Sequence, residues 1–156
     1  MAKTNLKIFL DSNVILSGLL SDQGPPRIIL DLLSLKLPIL SGCTGKYNLI
    51  EIEKVLKRKM AALFPVYQRY LPKIHLKIIP LPEPDTVRQL SGQLAAKDVP
   101  VLASAIQSGA DFLVTGDKKH FGKLKLPSKY SIKIMAPSEF ISLILPEIIK
   151  KIDSKD

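Results

Sequence analysis

Lys7-Ile8-Phe9-Leu10-Asp11-Ser12-Asn13-Val14-Ile15-Leu16 is the stretch on which the fold turns. Ile8, Phe9 and Leu10 form a short unbroken apolar run, the pattern of a strand buried on both faces of a parallel sheet. The run stops at an acid and two more polar residues before apolar spacing resumes. Ligands collect at the carboxyl ends of strands in open α/β sheets, so Asp11 is a candidate ligand or catalyst. Asp, Ser and Asn are also preferred helix N-caps, and this stretch alone leaves both readings open.

Working outward, residues 14–20 have helical apolar spacing and Ser21-Asp22-Gln23-Gly24 reads as a loop. Pro25 and Pro26 suit the first turn of a helix whose wide apolar face carries Ile28, Ile29, Leu32, Leu33 and Leu35. Residues 37–40 then read as a second strand, with Ser41-Gly42 as the break. A longer helix is expected over residues 46–64, with Ile52, Val55, Leu56, Met60 and Leu63 on its buried stripe. Glu51 and Glu53 flank that stripe, and periodicity does not choose between them. Residues 65–72 predict a turn and a short aromatic-bearing helix, residues 75–80 a third strand with His75 as a structural residue, and Pro80, Pro82 and Pro84 a non-helical link. Thr86 or Asp85 is the expected cap of a helix over residues 87–96.

The segment from Lys97 to Asp117 is the most informative. Asp98 takes an N-cap position, Val101, Leu102, Ala105 and Ile106 form a buried stripe, and Gly109 terminates the helix. Phe112, Leu113 and Val114 follow as another buried strand. A helix of about eleven residues at ~1.5 Å per residue rises as far as about five extended residues at ~3.3 Å each, so Asp98 and Asp117 finish level. If this strand and the first are parallel neighbours, Asp11 reaches the same edge. Singly, each acid has an ordinary reading: Asp98 as a cap, Asp117 as a turn residue after Gly116, Asp111 as a loop acid. Converging carboxylates repel and raise one another's pKa unless a cation offsets them. An oxygen-only donor set favours Mg²⁺ or Mn²⁺ over Zn²⁺. Lys118, Lys119 and His120 follow directly, a basic rim suited to phosphodiester phosphates. A last strand over residues 132–135 and a helix opened by Pro137 and Ser138 complete the chain, with a basic amphipathic continuation beyond Pro146.

Composition agrees with a folded globule: at 156 residues and 46% hydrophobic content the chain can bury a core without staples. Cys43 is the single cysteine, which excludes an intrachain disulfide and a multi-cysteine metal site. No signal peptide or membrane span is apparent, so a cytoplasmic protein with no membrane partner is expected. The net charge of +9 points to a polyanionic partner or to a lysine-rich solvated surface.

The motifs Leu10-Asp11-Ser12-Asn13-Val14, Glu51-Ile52-Glu53-Lys54-Val55-Leu56, Asp98-Val99-Pro100-Val101-Leu102 with Ala105, Gly109 through Asp117 with His120-Phe121, and Ala136-Pro137-Ser138-Glu139-Phe140 occur in order. From residue 7 to about residue 145 the chain thereby resembles the PIN domain family, in the branch that supplies toxins of toxin–antitoxin pairs. Residues 1–145 are accordingly expected to form the domain and residues 146–156 a basic helical tail of it. Carried over position by position, the family's acids fall on Asp11, Glu51, Asp98 and Asp117, the glutamate four positions before Val-Leu selecting Glu51 over Glu53. Asn13 and Thr115 match the polar residues that support the acids. One departure is that more residues separate Ser41 from Glu51 than the family pattern has, Gly42 and Gly45 among them. The resemblance implies a three-layer α/β/α sandwich with a mostly parallel central sheet, Mg²⁺ or Mn²⁺ dependence, cleavage of single-stranded RNA, a homodimer and an antitoxin partner.

On that reading Asp11 and Asp117 hold one metal directly, Asp98 and Glu51 hold a second or orient its waters, and hydrolysis leaves a 5′-phosphate and a 3′-hydroxyl. The chief rival is a catalytically silent RNA-binding module of the same fold. A signalling receiver fits the positions of Glu51 and Asp98 poorly, a haloacid-dehalogenase-type phosphatase wants an aspartate where Asn13 stands, and no Walker-type glycine loop supports an NTPase.

Overall fold

In the computed structural model, which describes residues 5–122, 124, 126 and 130–154, five parallel strands form one sheet. Its strands are β1 (Leu6–Leu10), β2 (Leu40–Gly45), β3 (Lys77–Ile79), β4 (Phe112–Val114) and β5 (Lys133–Met135), in the spatial order β3-β2-β1-β4-β5. The helices are α1 (Ser12–Leu20), α2 (Pro25–Ser34), α3 (Lys46–Lys59), α4 (Phe64–Tyr70), α5 (Pro84–Leu90), α6 (Val99–Ser108) and α7 (Pro137–Asp153). β1 lies at the centre because Ile8, Phe9 and Leu10 are wholly buried and need cover on both faces. Ile8 and Leu10 point into a cluster built with Ile29 and Leu30 of α2, Ile52 and Leu56 of α3, and Phe140 and Ile144 of α7. Phe9 points the other way, onto Leu90 of α5 and Leu102 and Ala105 of α6. Helices thus cover both faces, and the expected three-layer α/β/α sandwich is what forms. Every strand pair is parallel, so the sheet is more uniform than the expected mostly parallel one.

The pairing of β1 with β4 places the site. Ile8 sits opposite Phe112 and Leu10 opposite Val114, so the next residues, Asp11 and Thr115, leave the sheet side by side. The ladder runs on for one bond, from Asp11 N–H to the Val114 carbonyl at 3.0 Å. At the other end of the same pair the Lys7 amide donates to Asp111 Oδ2 at 2.9 Å, which keeps Asp111 away from the strand ends where Asp11 and Thr115 lie.

Several boundaries differ from those read in the sequence. The second strand is Leu40–Gly45 and not residues 37–40. Its two glycines read as a break, yet they are there because neighbouring side chains press on the backbone. A Cβ on Gly42 would lie 2.9 Å from Leu33 and Leu76 methyls, and one on Gly45 would lie 2.8 Å from Asn48 Oδ1. The additional residues between Ser41 and Glu51 are therefore the strand itself, and α3 follows it without a loop. α3 ends at Lys59, before residue 64, because Met60 leaves helical geometry at φ −146° and ψ 53°. A 3-10 turn, Ala61–Leu63, then leads into α4. β3 is reduced to Lys77–Ile79, preceded by His75 in a left-handed conformation at φ 53°, exposed at a turn. α5 starts at Pro84 rather than at residue 87, with Glu83 and not Thr86 or Asp85 at the cap, since a proline in the first turn has no N–H to leave unpaired. It stops at Leu90, short of residue 96, where Gly92 takes φ 87°. α7 is continuous from Pro137 to Asp153 with Pro146 inside it, and Ile148 beyond that proline still packs on the core. Among the described residues no helix is long and apolar enough to cross a membrane.

Candidate active site

Asp11 is the N-cap of α1 and also lines the strand-end cleft, so capping the helix does not take it away from the candidate site. The cleft has a volume of about 210 Å³ and is lined by Asp11, Asn13, Glu51, Lys97, Asp98 and Asp117, with Val55 and Leu16 as apolar walls. A larger groove of about 440 Å³ lies against α7, where Leu37, Ile39 and Ile148 line it; no acid does.

Each carboxylate reaches the cleft by its own route. Asp11 follows β1, and its Oδ1 accepts from the Ser12 amide at 2.7 Å while Oδ2 accepts from Thr115 Oγ1 at 2.8 Å. Glu51 projects from α3 and accepts from Ser12 Oγ at 2.7 Å. Glu53, on the same helix, instead lies near Tyr67, whose hydroxyl is pushed up to about 12 by burial and then by the Glu53 charge. Asp98 occupies the residue before α6 but makes no side-chain cap bond, which leaves its carboxylate to the cleft. Asp117 lies beyond β4, where its Oδ2 accepts from Asn13 Nδ2 at 2.9 Å and its amide donates to Thr115 Oγ1 at 3.1 Å. Asn13 Oδ1 accepts from the Gly116 amide at 2.9 Å, so this one side chain ties α1 to the Asp117 turn.

Electrostatics at the cleft are unfavourable to a bare carboxylate. Burial pushes the Asp11 carboxyl up to about 6, the Thr115 and Ser12 bonds pull it back, and the charges of Glu51 and Asp98 add to the rise. Lys97 is the cation that lines the cleft, and among the described residues it has no ion pair there. Such a set of four acids fits a divalent cation by the chemistry of its donors, oxygen throughout. Among the described residues no three acids, histidines or cysteines form a ready-made ligand cluster. Asp11, Glu51 and Asp117 are each held by a hydroxyl or amide donor.

The basic residues after Asp117 diverge. Lys118 Nζ bonds both carboxylate oxygens of Glu139 at 2.9 Å, and Glu139 also accepts from the Ala136 amide at the start of α7. Lys119 is exposed. His120 Nδ1 stands 3.7 Å from Asp98 Oδ2, at the cleft rim. Two polar residues at the site escape a reading of the sequence. Asn48 is wholly buried and donates to Ser12 Oγ at 2.9 Å and to Asp11 Oδ1 at 3.3 Å. Its position on the stripe shared by Ile52 and Leu56 is the available signal, because an amide among core positions needs a polar partner. Ser12, quoted in the first motif but given no role there, joins Asp11 to Glu51.

The PIN domain family model matches residues 7–119. Two solved structures share the fold: VapBC2 from Rickettsia felis bound to a DNA fragment from its promoter, and FitAcB from Neisseria gonorrhoeae. The first has a TM-score of 0.59 at 16% sequence identity, over 83% of this chain and 98% of that chain. The second has a TM-score of 0.56 at 23% identity, over 83% and 97%. At these identities the likeness is one of fold. No curated protein matches the chain in sequence.

Proposed function

The chain belongs to the PIN domain family, and from that premise we propose that it is a metal-dependent endoribonuclease, the toxin of a toxin–antitoxin pair, hydrolysing phosphodiester bonds of single-stranded RNA. The observation that carries this reading is the meeting of Asp11, Glu51, Asp98 and Asp117, from four separate segments, in one cleft at the strand ends. Ligands bind at that edge of open parallel sheets. The solved neighbours, a VapBC2 complex on promoter DNA and FitAcB, favour an antitoxin as protein partner. A homodimer, cytoplasmic location and a domain spanning residues 1–145 with a helical tail complete the proposal.

On this reading Asp11 and Asp117 would hold one Mg²⁺ or Mn²⁺, and Asp98 and Glu51 would hold a second or orient its waters. Such a cation, when bound, would supply a water of lowered pKa and positive charge to offset the departing oxygen. The protein's own part is orientation. Thr115 and the Ser12 amide fix the two oxygens of Asp11, Asn13 fixes Asp117, and the Ser12 hydroxyl fixes Glu51. No side chain serves as nucleophile. His120 stands at the rim beside Asp98, and the exposed Lys119 adds positive charge on that side.

The test is cleavage of a labelled single-stranded RNA pool by the protein with Mg²⁺, with Mn²⁺ and with chelator, alongside Asp11→Asn, Glu51→Gln and Glu53→Gln. Cutting that requires metal, Asp11 and Glu51 but not Glu53 supports the reading. RNA bound equally by all four proteins and cut by none would instead identify a silent RNA-binding module.

A further inference from the structure

We propose that Lys97 is the phosphate anchor of the cleft, and that Lys118, the basic residue next to Asp117 in sequence, is committed to α7 instead. The inference rests on the nuclease reading of the same site and specifies which cation meets the RNA backbone there.

Three observations support it. Lys97 lines the cleft together with the four acids and is exposed. Among the described residues no carboxylate lies within ion-pair distance of its ammonium, although Asp98 is its immediate neighbour and Glu51 lines the same cleft. A lysine kept only to neutralise the acids would sit on one of them, so its charge remains available to a ligand. Lys118, in contrast, is already engaged. Its ammonium lies 2.9 Å from each Glu139 oxygen, an arrangement that presents two anionic oxygens much as a phosphate does. Glu139 is held in place by the Ala136 amide at 2.9 Å, so the acceptor is fixed before the lysine arrives. A phosphate reaching Lys118 must displace Glu139, whereas one reaching Lys97 displaces only water.

The placement also explains how an anionic chain approaches four carboxylates. Lys97 precedes α6 and so stands beside Asp98 at the helix start, where it can hold one phosphate while the neighbouring one faces the acids. Lysine acts here as a point charge with no demand on base identity.

Binding of a labelled single-stranded RNA oligonucleotide in Mg²⁺ tests this with uncut RNA, using Asp11→Asn as the parent and adding Lys97→Ala, Lys97→Arg or Lys118→Ala. Each phosphate contact on a single strand contributes about 0.7 to the slope of log affinity against log salt. Loss of one contact therefore weakens binding about fivefold at 0.1 M salt relative to 1 M. The expected result is that fall in slope and affinity for Lys97→Ala, with Lys97→Arg and Lys118→Ala within about twofold of the parent. Parent binding with Lys97→Ala unchanged, or with Lys118→Ala carrying the loss, overturns the assignment and leaves the RNA reading intact. Absence of RNA binding by the parent and by the unmutated chain overturns both. Thermal melts of the variants verify that the exposed substitutions leave the fold unchanged.

Discussion

Replacing Asp11 by Asn removes a buried charge that its surroundings disfavour, and the effect on stability can be worked from the site. Asp11 is 7% exposed, and its carboxyl pKa rises from 3.8 to about 6, chiefly through burial. A rise of about two units corresponds to about 3 kcal/mol at 1.36 kcal/mol per unit. Because the folded-state value lies above the unfolded one, the native chain holds this proton more tightly. The associated stability is fully present below about pH 4 and is lost as pH rises through about 6. Asn titrates nowhere in that window. Its carbonyl can accept from the Ser12 amide, and its NH₂ can donate to Thr115 Oγ1 with the hydroxyl turned round. Asp11→Asn should therefore be more stable than the native sequence by up to about 3 kcal/mol near pH 7.5, with the difference vanishing near pH 4. For a chain of this size that is an increase in Tm of up to about 6–12 °C. The assay is thermal unfolding followed by circular dichroism across that pH range in chelator. Added Mn²⁺ should narrow the gap by stabilising only the native sequence, since binding to the folded state raises its stability by mass action. A difference that does not change with pH, or an Asn variant that is less stable at neutral pH, refutes the argument that burial and the neighbouring acids strain Asp11.

Two further substitutions test how the site is supported. Thr115→Val keeps the shape but removes the hydroxyl donor to Asp11 Oδ2, a bond that lowers the Asp11 pKa. It should destabilise the fold by about 1.5–3 kcal/mol at neutral pH and less in acid, with the pH midpoint of the loss moved upward, as read from urea unfolding at stepped pH. Gly45→Ala places a methyl 2.8 Å from Asn48 Oδ1 and 3.3 Å from Phe9 Cζ and Ser104 Cβ, three buried side chains. It should cost about 1–3 kcal/mol through overpacking, seen as a lowered denaturation midpoint with an unchanged slope.

The parts of this fold that were legible in sequence share a property: their identity depends on local pattern. β1, β4 and α6 announce themselves because uninterrupted apolar runs and a helical stripe end at residues with a specific local job. Gly109 closes α6 at φ 73°, and Asp11 opens α1. β2 was misplaced because its composition is set by what packs on it. Gly42 and Gly45 are small because Leu33, Leu76 and Asn48 approach from other elements, and a run of small residues reads as a turn when those neighbours are unknown. That single error also made the Ser41-to-Glu51 spacing look anomalous. Lys118 shows the converse case. Adjacency to Asp117 suggested a substrate contact, while the acid that holds it stands 21 positions further along.

The site divides in the same way. The direction of chain travel brings Asp11, Asp98 and Asp117 to one edge, and strand and helix lengths suffice to see it. Which atom orients each acid is a tertiary fact. The hydroxyl that fixes Asp11 comes from 104 positions away, and the one that fixes Glu51 is Ser12, at a separation of 39. Both donors stand next to an acid in sequence or two positions before one, and each serves an acid on another segment. Ser12 follows Asp11 yet its hydroxyl holds Glu51, and Thr115 precedes Asp117 yet its hydroxyl holds Asp11. This crossing binds three segments into one unit, so that moving Asp11, Glu51 or Asp117 requires moving a donor on its neighbour. Carboxylates held by crossed donors keep their geometry without a cation, and that preorganisation is what the proposed metal-dependent hydrolysis would need from the protein.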